Sequence, residues 1–159
     1  MKQIELSIWL KIIILICALF GVLLCCGISP LLGKEAVLLN PELSFLHIPA
    51  LMFIWVTGIP FYVILFNGWK ICSLIAEGNT FCYKNSERLK IISILSIIES
   101  ILYLVADICL VIIKVNDLSL FLVTSLIVFG GISLAIISAI LSHIIKNASD
   151  LKEDNSLTI

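Results

Sequence analysis

The sequence predicts an all-α fold, an integral membrane four-helix bundle. Of the 159 residues, 61% are hydrophobic and only 13% are charged, whereas soluble domains carry about 25% charged residues. The mean hydropathy is +1.20. Four apolar runs are each long enough to cross a bilayer. We therefore expect a single membrane domain over residues 1–159, with no room for a soluble catalytic domain.

We place the four spans at residues 12–28, 48–66, 91–113 and 118–141. Residues 1–11 are amphipathic, and Trp9 and Lys11 are of the types that anchor a helix at the interface. This segment is expected to continue into the first helix and to be retained, because no small-x-small cleavage site follows the run. Pro60 bends the second span, either as a fixed bend for packing or as a gating hinge.

The connections differ in character. Residues 29–47 contain Pro30 and Pro41 and are expected to be irregular or to form short helical turns on the membrane surface. The loop at residues 67–90 is the one internal segment rich in charge, and its last part, residues 83–90, is expected to be helical. A short turn at Asn116 and Asp117 makes the third and fourth spans antiparallel neighbours. Residues 146–159 form a polar tail.

Small residues at four-residue spacing mark two helix faces as candidate packing seams, since small side chains let helix backbones approach closely. These residues are Gly131, Ala135 and Ala139 in the fourth span and Cys17, Gly21 and Cys25 in the first.

Lysine and arginine predict the orientation, because positive residues near the spans are retained in the cytoplasm. If the N terminus is cytoplasmic, the outer loops hold only Lys34 and Lys114. We therefore expect a multi-pass protein of the cell membrane with both termini in the cytoplasm. The inner residues are Lys2, Lys11, Lys70, Lys84, Arg88, Lys90, Lys146 and Lys152.

Composition and spacing favour no catalytic or cofactor chemistry. The six cysteines form no CxxC pair and no zinc-type cluster with histidine, and no nucleophile motif or phosphate-binding glycine loop is present. We expect a protein that is not an enzyme, with no metal and no cofactor. A net charge of −1 gives no indication of direct nucleic-acid binding.

The third span carries the most unusual polar residues. Glu99, Tyr103 and Asp107 recur at four-residue spacing and form a slowly drifting stripe, which Ser93, Ser96 and Ser100 extend toward the inner face. Glu99 lies about 12 Å deep, at 1.5 Å per residue, where a charged carboxylate costs at least about 2.5–3.5 kcal/mol. Glu99 could therefore bind a proton or cationic ligand reversibly, or could specify packing as a neutral hydrogen-bonding group.

Two patches outside the spans resemble the bacterial membrane family DUF2975. The first is the sequence Gly78-Asn79-Thr80-Phe81, followed by Asn85 and by Arg88-Leu89-Lys90 at the start of an apolar helix. The second is the ending, in which the family-like positions are Glu153, Asn155, Leu157, Thr158 and Ile159. Cys82 departs from the pattern, because a serine or threonine is expected there as a helix cap.

This resemblance implies a four-span protein of uncharacterised molecular function. Such proteins are often encoded beside a small helix-turn-helix regulator, which suggests a sensor or anchor that acts through a cytoplasmic partner. A small transporter or proton-coupled carrier that uses Glu99 is the alternative, and it would need a homodimer to enclose a pathway. An assembly or immunity factor is a third class. The partners expected in every case include the lipid bilayer.

Overall fold

The computed structural model describes residues 3–39, 41–115 and 118–157, and all of its regular structure is helical. The helices are α1 (Gln3–Val22), α2 (Ser29–Leu39), α3 (Ser44–Ala76), α4 (Tyr83–Ile112) and α5 (Leu118–Leu157). A π-helical segment, Leu23–Ile28, joins α1 to α2, and a 3-10 turn, Pro41–Leu43, precedes α3. The predicted all-α class is confirmed. The predicted turn residues Asn116 and Asp117 lie outside the described residues.

Four helical segments are long and apolar enough to span a membrane, as predicted. They are Gln3–Glu35, Ser44–Ala76, Tyr83–Ile112 and Leu118–Lys152. Their large apolar side chains face outward, and Leu126 and Phe129 are both 71% exposed. Lipid rather than a protein core covers such side chains, because a spanning helix needs an apolar surface around it.

The helices extend beyond the apolar runs, so the connections are shorter than the hydropathy profile predicted. α3 continues to Ala76, which shortens the predicted loop 67–90 at its start, whereas α4 begins at Tyr83, so residues 83–90 are helical as expected and the loop comprises residues 77–82. Charged residues end an apolar run without ending a helix, because lysine, glutamate and arginine are good helix formers. Cys82 precedes α4 without a side-chain capping bond, and its carbonyl accepts from the Asn85 amide at 3.0 Å.

Residues 29–39 form the regular helix α2, where irregular structure or short turns were expected. The junction before α2 explains how Pro30 is tolerated. The Ser29 amide donates to the Leu24 carbonyl in the π register, and the next carbonyl in that register, on Cys25, has no amide partner at Pro30. The indole Nε1 of Trp55 donates to the Cys25 carbonyl at 3.3 Å, so a neighbouring helix satisfies the freed group.

The four long segments pack in chain order. α1 packs on α3, α3 on α4, and α4 on α5. Within the described ranges α1 contacts neither α4 nor α5, so the helices form an open row. α1 and α3 are held along their length by hydrogen bonds from Ser7 Oγ to the Cys72 carbonyl at 2.5 Å and from Tyr62 Oη to the Ala18 carbonyl at 3.0 Å.

One end of the row concentrates the positive charge, and we call it the basic end. It comprises the start of α1, the end of α3, the start of α4 and the end of α5. Its described basic residues are Lys11, Lys70, Lys84, Arg88, Lys90, Lys146 and Lys152. The cytoplasmic orientation of this end stays a prediction.

Candidate functional site

The α4–α5 seam carries the most extensive polar contacts between spans. The α4 residues Ser86, Ser93, Ser96 and Ser100 are buried, and opposite them α5 presents Gly131, Ala135, Ser138 and Ser142. Ala135 is only 1% exposed. Gly131 and Ala135 thus lie in a seam, as predicted, whereas Ala139 is exposed, and the seam continues through Ser138 and Ser142 instead.

Sequence reasoning missed Ser86, Ser138 and Ser142, although a signal for them exists. The α5 residues of the seam repeat every seven positions in two series, which suits helices crossing at about 20°. The series are Thr124, Gly131 and Ser138, and Val128, Ala135 and Ser142. On α4 the buried serines Ser86, Ser93 and Ser100 follow the same seven-residue spacing, which is the sequence pattern that indicates the seam.

Ser86 and Ser142 form a reciprocal pair at the basic end of this seam. Ser86 Oγ donates to the Ser142 carbonyl at 2.8 Å, and Ser142 Oγ donates to the Ser86 carbonyl at 2.8 Å. Both hydroxyl groups are buried. The pair therefore ties the start of α4 to the C-terminal half of α5.

The stripe of Glu99, Tyr103 and Asp107 is divided between two neighbouring helices. Tyr103 Oη lies 3.4 Å from Thr57 Oγ1 of α3, and the Tyr103 ring packs edge-on against Phe53 with the centroids 5.2 Å apart. Asp107 Oδ1 accepts from Thr124 Oγ1 of α5 at 3.1 Å. Four residues advance a helix by about 40° beyond a full turn, so successive members of the stripe turn toward different neighbours.

Glu99 is the member of the stripe with an unsatisfied polar atom. Its side chain is half-buried, and Oε1 is buried without a hydrogen-bond partner among the residues that the structure describes. Ser96 Oγ, one turn earlier, is in the same condition. A buried polar atom without a partner costs about 1–3 kcal/mol, so Glu99 is a candidate for function as well as for packing.

The first family-like patch shapes the loop between α3 and α4. Gly78 has φ +77°, a left-handed conformation that favours glycine. The Asn85 side chain is 0% exposed, and Nδ2 donates to the carbonyls of Asn79 at 3.3 Å and Thr80 at 3.0 Å. These residues hold the chain reversal. Asn85 is therefore inaccessible to a partner.

The remaining residues of that patch differ in accessibility. Phe81 is 56% exposed, and Arg88 and Leu89 are half-buried. In the second patch, Glu153, Asn155 and Leu157 belong to α5. Thr158 and Ile159 lie outside the described residues. Phe81 thus gives the first patch an exposed large apolar side chain.

A cavity of about 440 Å³ opens between α4 and α5 at the basic end, and sequence reasoning did not predict it. Its lining includes Lys90, Lys146 and His143, together with the Glu87 carboxylate and the Tyr83 ring. These groups come from the consecutive helices α4 and α5, on which Lys90 and Lys146 are 56 positions apart, and the antiparallel pairing of the two helices brings them together. Among the described residues no group of three histidine, cysteine or acidic side chains could hold a metal ion.

Comparison with known proteins assigns the chain to a family. The family model described as "Protein of unknown function (DUF2975)" matches residues 31–159, which is more than half of the chain. The chain belongs to the DUF2975 family. The resemblance drawn from the two patches is thereby confirmed, and both patches lie in the matched region of this DUF2975 protein.

A curated relative of this DUF2975 chain is the "Uncharacterized membrane protein YoaS" of Bacillus subtilis (strain 168). The two sequences are 26% identical over 155 residues, which cover 96% of this chain and 97% of the relative. No solved structure matches the chain. Family and relative agree with the spans in giving a membrane protein of uncharacterised function.

Proposed function

We propose that this DUF2975 protein is a membrane sensor or anchor that binds a cytoplasmic protein through its basic end. The observation that carries the proposal is the extension of α3, α4 and α5 past their apolar runs. α3 extends ten residues beyond position 66 and α5 extends beyond position 141, and ten residues of helix add about 15 Å. The row therefore has a helical surface beyond the hydrophobic layer.

Exposed apolar side chains on this extension support a protein partner. Phe81 is 56% exposed, Tyr83 51% and Leu151 64%. Phe81 and Leu151 each lie ten residues past the edge of an apolar run, so lipid does not cover them. Protein interfaces are enriched in aromatic residues, and we propose that these three side chains contact the partner. The partner class, a small helix-turn-helix regulator, rests on the family resemblance.

A two-hybrid assay between the full-length protein and a small helix-turn-helix regulator, of the kind often encoded beside proteins that this sequence resembles, tests this proposal. We expect Phe81→Asp and Leu151→Asp each to abolish the interaction, and deletion of residues 150–159 to do the same. The matched control is Phe129→Ala, which alters a side chain that is 71% exposed on the apolar part of α5. Undiminished binding by both aspartate variants would overturn the proposed surface.

Glu99 supports a second candidate, a proton-coupled carrier. The supporting observation is the buried Oε1 atom without a partner among the described side chains, since ionisable groups at this depth mark ion pathways in many transporters. Glu99→Gln keeps the shape and removes the titratable proton, so a carrier should lose transport or resistance. Glu77→Gln, in the exposed loop before α4, is the control. Full activity of the Glu99→Gln variant would eliminate the carrier.

A further inference from the structure

We infer that the cavity between α4 and α5 at the basic end binds the phosphate-bearing headgroup of an anionic phospholipid. The inference goes beyond the proposed protein partner, because it concerns a different ligand and a surface that shares only Tyr83 with the proposed partner contact. It rests on the charge, depth and shape of the cavity.

The charge of the cavity favours a phosphate. Lys90 on α4 and Lys146 on α5 both line it, and His143 adds a further hydrogen-bonding nitrogen. Glu87 contributes one carboxylate, so the lining carries a net charge of about +1 with a neutral histidine. Lysine ammonium groups bind phosphate as point charges, and basic cavities between spanning helices bind anionic headgroups.

The depth of the cavity matches a lipid bound from within the bilayer. Lys90 directly precedes the apolar run of α4, whereas Lys146 lies just past the run of α5. The lining continues from Lys90 to Ser93 and Ile94 on α4, and from Lys146 to Ala139 on α5. On each helix the cavity is therefore charged toward the basic end and becomes more apolar toward the membrane.

This gradient distinguishes a phospholipid from a free anion. Ile94 is 48% exposed on the membrane side of the cavity, and Ala139 is exposed beside it. An acyl chain that leaves the headgroup can follow this apolar surface, which buries hydrocarbon from both partners. A free phosphate would contact the lysines and leave this apolar surface uncovered.

The experiment uses the purified full-length protein in a non-ionic detergent and native mass spectrometry, with dioleoyl phosphatidylglycerol as the probe and dioleoyl phosphatidylcholine as the reference lipid. We expect selective retention of phosphatidylglycerol. Each lysine contributes about 1 kcal/mol of attraction to an anionic surface. We therefore expect K90Q/K146Q to bind phosphatidylglycerol about thirtyfold more weakly than the wild type. The control K70Q/K84Q removes the same charge from the basic end outside the cavity and should bind like the wild type.

Substitution of Glu87 should change phosphatidylglycerol binding in the opposite direction from substitution of the two lysines. Glu87→Gln removes the single carboxylate of the lining, so it should strengthen retention of phosphatidylglycerol. Circular dichroism checks that each variant keeps its helical content. Equal retention by the wild type and K90Q/K146Q, or weaker retention by Glu87→Gln, would overturn the inference. Complete displacement of the lipid by excess inorganic phosphate would identify a free-anion site and overturn the lipid assignment.

Discussion

Gly131 shows at the residue scale how closely α4 and α5 approach. A β-carbon at position 131 would clash with Ser100 Oγ and would lie 3.4 Å from the Ser96 carbonyl oxygen. The neighbouring Gly130 has nothing within 4 Å of the same position. Substitution of Gly131 therefore changes both helix packing and helix propensity, whereas substitution of Gly130 changes helix propensity alone.

We expect Gly131→Ala to be less stable than Gly130→Ala by about 1–3 kcal/mol, the usual cost of overpacking. Both variants gain the same helix propensity, about 1 kcal/mol. The difference between their free energies of unfolding therefore measures the cost of the close contact between α4 and α5. Denaturant titration in detergent, followed by circular dichroism, provides the measurement. Equal stabilities would show that position 131 does not lie in a tight helix contact.

Asn85 illustrates a family-like residue with a structural role. Asn85→Ala removes the amide that binds the carbonyls of Asn79 and Thr80. Unpaired buried groups cost about 1–3 kcal/mol, so we expect this loss in the free energy of unfolding. Asn147→Ala, on the exposed surface of α5, is the control and should change stability little. A stable Asn85→Ala protein with a specific loss of partner binding would instead assign Asn85 to recognition.

At the scale of the element, the Ser86–Ser142 pair predicts coupling between α4 and α5. We expect a double-mutant cycle with Ser86→Ala and Ser142→Ala to give a coupling energy of about 0.6–1.7 kcal/mol, the range of hydrogen bonds between membrane helices. The Ser133 hydroxyl bonds within its own helix, to the Phe129 carbonyl at 2.8 Å. Ser86→Ala combined with Ser133→Ala should therefore be additive, and additivity in the first pair would contradict the reciprocal bonding.

The existence of the four helices and the bounds of α4 were predictable from the sequence, whereas the end of α3 and the helix α2 were not. Four runs such as residues 91–113 identify the spans, because the bilayer requires a minimum apolar length. The end of α3 at Ala76 and the regular helix α2 depend on helix propensity and on Trp55 of another helix, and hydropathy reports neither. The stripe on α4 was visible in the sequence, whereas the division of Tyr103 and Asp107 between two neighbours depends on the packing order.

At the scale of the whole molecule, the open row explains why so few apolar residues are buried. The described hydrophobic residues that are almost fully buried are Cys72, Ile92 and Ala135. Lipid tails are as apolar as the helix surfaces, so the hydrophobic effect does not drive helices together in a bilayer. Hydrogen bonds and contacts between small residues join the neighbouring helices instead. The antiparallel pairing predicted for the third and fourth spans places Lys90 and Lys146 at the same end, whereas the cavity between them depends on the packing of the α4–α5 seam and was not predicted.

The proposed binding of a cytoplasmic protein requires the basic end to face the cytoplasm. The decisive measurement is labelling by a membrane-impermeant maleimide in intact cells, with the six native cysteines replaced by alanine. Leu38→Cys tests the opposite end, where Leu38 is 81% exposed, and Lys84→Cys tests the basic end. We predict that Leu38→Cys is labelled in intact cells and that Lys84→Cys is labelled only after permeabilisation. Labelling of Lys84→Cys in intact cells, with Leu38→Cys protected, would contradict the account.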